Sequence, residues 1–228
     1  MEGSQTRNGT IMITAGLNRR NLLKWTGVGA TVMVAGAMLP NFGISTALAA
    51  DLGAGDIGVL NYAYALEQLE AAFYIQVVKT PYAGITKVEL SNLKAIRDHE
   101  IAHRDFLKKA LGRKAIPGLE VDFSSVDFTS KKSVLGTADV FENLGVAAYN
   151  GAGQLIQNVD YLAVAGSIVS VEARHAATIA ELLSGFGKAA AGGKNVNSKG
   201  LDGALLPSQV LPKAAPFIVT PVTANALS

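Results

Sequence analysis

Two short stretches of the chain carry the residue types and the spacing to hold a metal ion: Glu100-Ile-Ala-His103 and Glu172-Ala-Arg-His175. In each, a glutamate is followed three residues later by a histidine. On a helix such a pair lies on one face, with Cβ atoms about 5–6 Å apart. A carboxylate oxygen and an imidazole nitrogen then reach one cation together. The chain has three histidines and nine glutamates among 228 residues, too few for two such pairs to be expected by accident. The third histidine, His99, reads as a surface group or an outer partner of the site rather than as a ligand.

The elements that must position these pairs are four amphipathic helices. Apolar residues recur near the 3.6 period from about 56 to 79, with Asp56 as the expected N-cap, and from about 87 to 111, ending at Gly112. The period returns from about 131 to 157 and from about 160 to 183, with Asn158 and Asp160 marking a tight turn between them. Residues 113–131 read as a long irregular connection crossing the bundle, with a pair of short strands as the alternative. Folding each helical hairpin at its turn places residues equidistant from the turn at one level, since both arms rise about 1.5 Å per residue. Glu67 then faces the level of Glu100 and His103, and Glu142 faces that of Glu172 and His175. Each half so carries one Glu on its first arm and Glu-x-x-His on its second, a weak internal repeat. Tyr74 and Tyr149 each follow the first-arm Glu by seven residues, two turns along on about the same face. Glu70, one turn from Glu67, is the alternative to it.

Six ligands result: Glu67, Glu100, His103, Glu142, Glu172 and His175. Four carboxylates and two imidazoles are the set that binds a carboxylate-bridged pair of metal ions in a four-helix bundle core. Buried without cations, these carboxylates would be very costly. The donor types suit iron or manganese, with zinc not excluded. Tyr74 and Tyr149 stand as outer candidates for hydrogen bonding or electron donation; no residue is assigned a catalytic role.

Composition excludes much else. There is no cysteine, so disulfides, thiolate metal sites and cysteine nucleophiles are absent. The net charge of +2 comes from the front of the chain: Arg7, Arg19, Arg20 and Lys24 against Glu2 alone in residues 1–49, leaving 16 basic and 17 acidic residues beyond. A neutral body has no basic patch for nucleic acid. Residues 1–49 read as an export signal, with an uncleaved N-terminal anchor as the alternative. Arg19-Arg20-Asn21-Leu22-Leu23-Lys24 precedes a Gly-rich apolar stretch too short to span a bilayer comfortably, and Ala47-Leu48-Ala49 supplies a small-residue cleavage site. The motif resembles the twin-arginine signal. That resemblance implies export of a folded protein to the periplasm or the extracellular space, with membrane contact only through the signal. Residues 50–185 are expected to be the bundle. Residues 186–228 are a C-terminal extension with prolines at 207, 212, 216 and 221, irregular and packed along the bundle.

Over about 56–185 the sequence resembles the ferritin-like superfamily of di-metal carboxylate proteins. Leu60-Asn61, Glu67 and Tyr74 are similar to the first ligand helix of bacterioferritins. The stretches 141–151 and 171–177, with 205–211 and 215–218, resemble more closely the branch that includes plant desiccation-related proteins. The resemblance implies an all-α, up-down four-helix bundle with one long crossover between helices 2 and 3. It further implies a buried di-iron or di-manganese centre, with Glu100 and Glu172 as bridges and Glu67 and Glu142 terminal, reacting with dioxygen or peroxide. Three classes of function stay open: a redox enzyme, a ferritin-type iron store, and a stress-protective protein with the metal as a structural cross-link. The first needs a small oxidant as partner, and a homo-oligomer is left open.

Overall fold

The first helix, α1 (Gly55–Lys79), is buried over most of its surface, with Val59, Leu66, Leu69, Phe73, Tyr74 and Val77 at its heart. A helix apolar on every side belongs in the centre of a fold, and the rest of the chain wraps it. The computed structural model describes residues 49–185, 191 and 195–227. The twin-arginine segment lies outside the described residues apart from Ala49.

Helix α2 (Lys87–Leu111) returns antiparallel to α1 and makes its main packing against it. Its start is closed by a reciprocal capping box: Glu89 N–H donates to Thr86 Oγ1 at 3.2 Å, and Thr86 N–H donates to Glu89 Oε2 at 2.7 Å. Its end is Gly112, at φ +56°, a conformation open to glycine without a Cβ penalty. Helices α3 (Lys131–Ala152) and α4 (Val159–Ser184) form the second packed pair. The architecture is the expected all-α bundle with a long connection between the second and third helices.

Several boundaries differ from the sequence reading. Asp56 does not cap α1; Ala54 occupies that position. Asp56 instead lies in the first turn, and its carboxylate accepts the Gln157 and Asn158 N–H groups at 2.7 and 2.9 Å, tying α1 to the turn before α4. Helix α3 ends at Ala152, not near 157, and continues as a single 3-10 turn, Gly153–Leu155. Two closely spaced glycines, Gly151 and Gly153, weaken the helix there. The Leu205 backbone also packs so tightly on Gly151 that a Cβ would come within 2.0 Å of Leu205 O.

The crossover is irregular, as expected, and two buried polar side chains of α1 hold it. Asn61 accepts from Ile116 N at 3.0 Å and donates to the carbonyls of Lys114 and Leu52. Gln68 accepts from Leu119 N at 2.9 Å. The segment forms no strand pair of its own; Val121 makes an isolated antiparallel bridge to Ile218 in the tail.

The C-terminal extension is more ordered than its prolines suggest. It contains α5 (Pro207–Ala214), with Pro207 in the first turn where no N–H is needed. It ends in a two-residue strand, β2 (Val222–Thr223), parallel to β1 (Ala50–Asp51). Phe217 from the tail packs edge-on against Phe141 of α3 at 4.8 Å, and Phe141 in turn packs on Phe73 of α1. Crossover and tail therefore close one flank of the bundle together. Among the described residues no helix is long and apolar enough to cross a membrane.

Candidate metal centre

Each long helix turns one or two acidic or imidazole side chains inward at a single level. Glu67 comes from α1, Glu100 and His103 from α2, Glu142 from α3, and Glu172 and His175 from α4. The four carboxylates are 0% exposed. Two groups of four side chains result, in each of which one ligand-type atom per residue lies within 4.8 Å of the others: Glu67, Glu100, His103 and Glu172, and Glu100, Glu142, Glu172 and His175. Glu100 and Glu172 belong to both. All six residues singled out in the sequence are thus brought together.

His103 Nδ1 lies 3.1 Å from Glu172 Oε1, 3.5 Å from Glu67 Oε2 and 3.6 Å from Glu100 Oε2. His175 Nδ1 lies 2.7 Å from Glu100 Oε1 and 3.4 Å from Glu142 Oε2. These contacts are close but poorly aligned. Glu67 Oε2, both oxygens of Glu100 and Glu172, Glu142 Oε2 and both inward Nδ1 atoms are buried without a hydrogen-bond partner. Ligand-type atoms gathered this closely without well-formed hydrogen bonds are the pattern of a ligand cage; buried polar groups are otherwise almost always paired.

The charges agree with the geometry. Burial raises Glu67, Glu142 and Glu172 above the usual carboxylate range, and the Glu100 charge adds to the rise in each. Burial pushes Glu100 the same way, but its contacts with His103 and His175 prevail and hold it low. Burial disfavours the charged imidazoles, yet the carboxylates around them raise both His103 and His175 well above the ordinary value. Without a cation the cluster keeps protons on its carboxylates and imidazoles, the response of buried carboxylates that lack another positive charge.

The surroundings are also placed. The Tyr74 hydroxyl donates to Glu142 Oε1, and the Tyr149 hydroxyl donates to Glu67 Oε1 at 2.5 Å. The partners are crossed: each tyrosine serves the glutamate of the other hairpin, not the one seven residues before it. Glu70 is not in either group. It is buried beside the centre, in a small groove with Leu66, Leu69, Phe141, Leu144 and Gly145. His99 is exposed on its outer side, and its Nδ1 lies 2.9 Å from His175 Nε2, the two rings nearly parallel. His175 Nδ1 faces the carboxylates, so Nε2 is the atom that meets His99. Asp98 pairs with its neighbour Arg97 at 2.7 Å. Arg174 is exposed, and neither reaches the site carboxylates. Asp139 holds Asn143 and is not part of the cluster.

The sequence reading gave Gly145 no part in the site. A Cβ there would stand 3.1 Å from both Glu172 Oε2 and Glu70 Oε1. The legible signal was a glycine three residues after Glu142, on the ligand face of a helix that glycine weakens.

Residues 55–185, more than half of the chain, match the family model described as a ferritin-like domain. The chain belongs to the ferritin-like domain family. No curated protein matches it.

Proposed function

We propose that this ferritin-like protein binds two iron or manganese ions, bridged by Glu100 and Glu172, and carries out redox chemistry with dioxygen or peroxide. The observation that carries the reading is the set of eight buried, hydrogen-bond-free ligand atoms in two groups that share those two glutamates. Glu67 and His103 complete one ion's ligands, Glu142 and His175 the other's. When bound, such a pair of ions supplies one-electron oxidation changes at each metal and Lewis acidity toward an oxygen-containing substrate.

The chain's own residues do the rest. Tyr149 and Tyr74 orient the terminal carboxylates Glu67 and Glu142 and keep a proton on each hydroxyl at the edge of the centre. With a metal on His175 Nδ1, its Nε2 would carry the proton and donate to His99, which would fix that tautomer. The apolar sheath of Phe73, Phe141, Leu69 and Ile179 excludes water and strengthens every charge interaction inside.

The protein is further proposed to be exported by the twin-arginine route and to act in stress protection, in line with its resemblance to the desiccation-related branch. Replacing Arg19 and Arg20 with Lys should retain the precursor in the cytoplasm; normal yield outside the membrane removes that assignment.

Metal analysis of protein loaded under iron- or manganese-replete conditions tests the centre. Two ions per chain are expected, falling for both ions in Glu100→Ala and mainly for one in His103→Ala. A wild type holding no more than one ion, or Glu100→Ala keeping two, defeats the di-metal reading. Turnover with peroxide or dioxygen then separates an enzyme from a protein that keeps its metal as a structural cross-link, and gel filtration detects a storage cage.

A further inference from the structure

Above the Glu67–His103 half of the centre lies a cavity whose wall is almost wholly apolar, and within the redox reading just proposed it bears on which oxidant reaches the site. Three of its lining residues sit one helical turn from candidate ligands, on the same helix faces: Ala63 from Glu67, Leu107 from His103 and Ile168 from Glu172. Leu66 adjoins Glu67, and Tyr149, which also lines the cavity, donates its hydroxyl to Glu67. The lining grades from buried residues at this inner end to the half-buried Gly153, Ile156, Tyr161 and Ala165 at the outer end.

Space and chemistry narrow the occupant. The cavity gives the centre of a water-sized molecule about 20 Å³ to move in. On that measure about 10–15 Å³ suffices for one water, so the space holds one or two small molecules and no aliphatic chain. Water needs two to four polar partners to stay. Of the tyrosines on this wall, Tyr149 is already engaged with Glu67, Tyr161 stands at the half-buried outer end, and the Tyr62 hydroxyl, buried without a partner, is a single polar group. Hydrogen peroxide has the same need. Dioxygen, small and apolar, does not.

We propose that this cavity is a dioxygen site, feeding the Glu67–His103 side of the centre from an outer mouth at Ala165 and Ile156. Xenon reports such sites without any chemistry. Under xenon pressure, metal-free and metal-loaded wild type should both show a bound atom among Ala63, Leu107 and Ile168, by crystallography or by the shift of xenon-129 resonance. Ala165→Phe, with Ala165→Leu as the milder variant, should abolish or weaken that signal. In the loaded protein, with the reduced metals as electron donor, consumption of dioxygen should slow about tenfold in Ala165→Phe while reaction with hydrogen peroxide changes by less than about twofold. Absence of xenon in the wild type overturns the assignment. So does an unchanged dioxygen rate in a variant that has lost xenon, or an equal slowing with both oxidants. A wild type that takes up no redox metal fails the functional reading, and metal analysis shows this before any oxidant is added; xenon missing from fully loaded protein fails the cavity alone.

Discussion

A single methyl group added at Gly145 tests whether Glu172 is a ligand without altering any charge. Gly136 and Gly145 both lie inside α3, but a Cβ at Gly136 meets nothing within 4 Å, while one at Gly145 stands 3.1 Å from Glu172 Oε2 and from Glu70 Oε1. Replacing a helix-interior glycine with alanine stabilises by about 0.5–1 kcal/mol. For a domain of this size that is a rise of about 1–4 °C in melting temperature. Gly136→Ala should show this gain in full, with metal binding unchanged. In Gly145→Ala the same gain is set against a crowded carboxylate. Relaxed carbon–oxygen contacts lie near 3.3–3.6 Å, so the oxygens must retreat by about 0.3 Å. Metal–ligand distances hold to within about 0.2 Å in a working site. Disturbing the supports of a ligand on this scale weakens metal binding about 10–100-fold, or about 1.4–2.8 kcal/mol. Because Glu172 belongs to both ligand groups, both ions should weaken together, unlike the one-sided loss in His103→Ala. Competition with a chelator measures the affinity, and calorimetry of metal-free samples measures the helix effect separately. If Gly145→Ala melts like Gly136→Ala and binds metal as tightly as the wild type, Glu172 Oε2 is not a ligand atom and the shared-bridge geometry is wrong.

The pH dependence of stability should invert on metal loading. In metal-free protein the folded-state values of Glu67, Glu142 and Glu172, from about 7 to about 8, lie above the ordinary 4.5. Their contribution is full below 4.5 and is lost as pH rises through 7 to 8; raised His103 and His175 act in the same direction at higher pH, while depressed Glu100 opposes only as pH falls toward about 2. Metal-free melting temperature should therefore fall from pH 5 to 8, whereas metal-loaded protein, in which protons compete with the cations, should gain over the same range; parallel profiles count against a cation in the cluster. Tyr149→Phe leaves Glu67 Oε1 buried without its donor, at about 1–3 kcal/mol in stability, and should change metal binding at the Glu67–His103 half; Tyr74→Phe should do the same at the Glu142–His175 half. Isotherms for the two variants that affect the same ion would show that the crossed hydrogen bonds do not separate the halves. Thr86→Ala removes the α2 cap and frees Glu89, which also pairs with Lys131 at the start of α3; a loss of about 1 kcal/mol by urea denaturation is expected.

Local periodicity made the bundle and the candidate ligand cluster legible. The i, i+3 spacing of Glu100 with His103 and of Glu172 with His175 places each pair on one helix face whatever the neighbours do. The fixed rise per residue carries Glu67 and Glu142 to the same level. What depends on how helices lean on one another was not legible. The repeat placed Tyr74 and Tyr149 on the faces of Glu67 and Glu142 without naming their partners, and the packing of α1 against α3 pairs each with the glutamate of the other hairpin. Prolines at 207, 212, 216 and 221 suggested an irregular tail. Burial of Val210 and Ala214 nevertheless makes a short helix of 207–214, with Pro207 in the position a helix tolerates.

The same dependence makes the two halves of the centre unequal in a way the repeat conceals. His99 stands four residues before His103 yet meets His175, giving that ligand a ring-to-ring link to the surface. The corresponding position before His175 is Val171, which has no such group to offer His103. The Glu67–His103 half instead faces the apolar cavity through Ala63, Leu107 and Ile168. A pseudo-symmetric ligand set thus has a polar contact to solvent on one side and an apolar chamber on the other. On the di-metal and dioxygen proposals made above, protons and a neutral oxidant would reach the centre by separate routes.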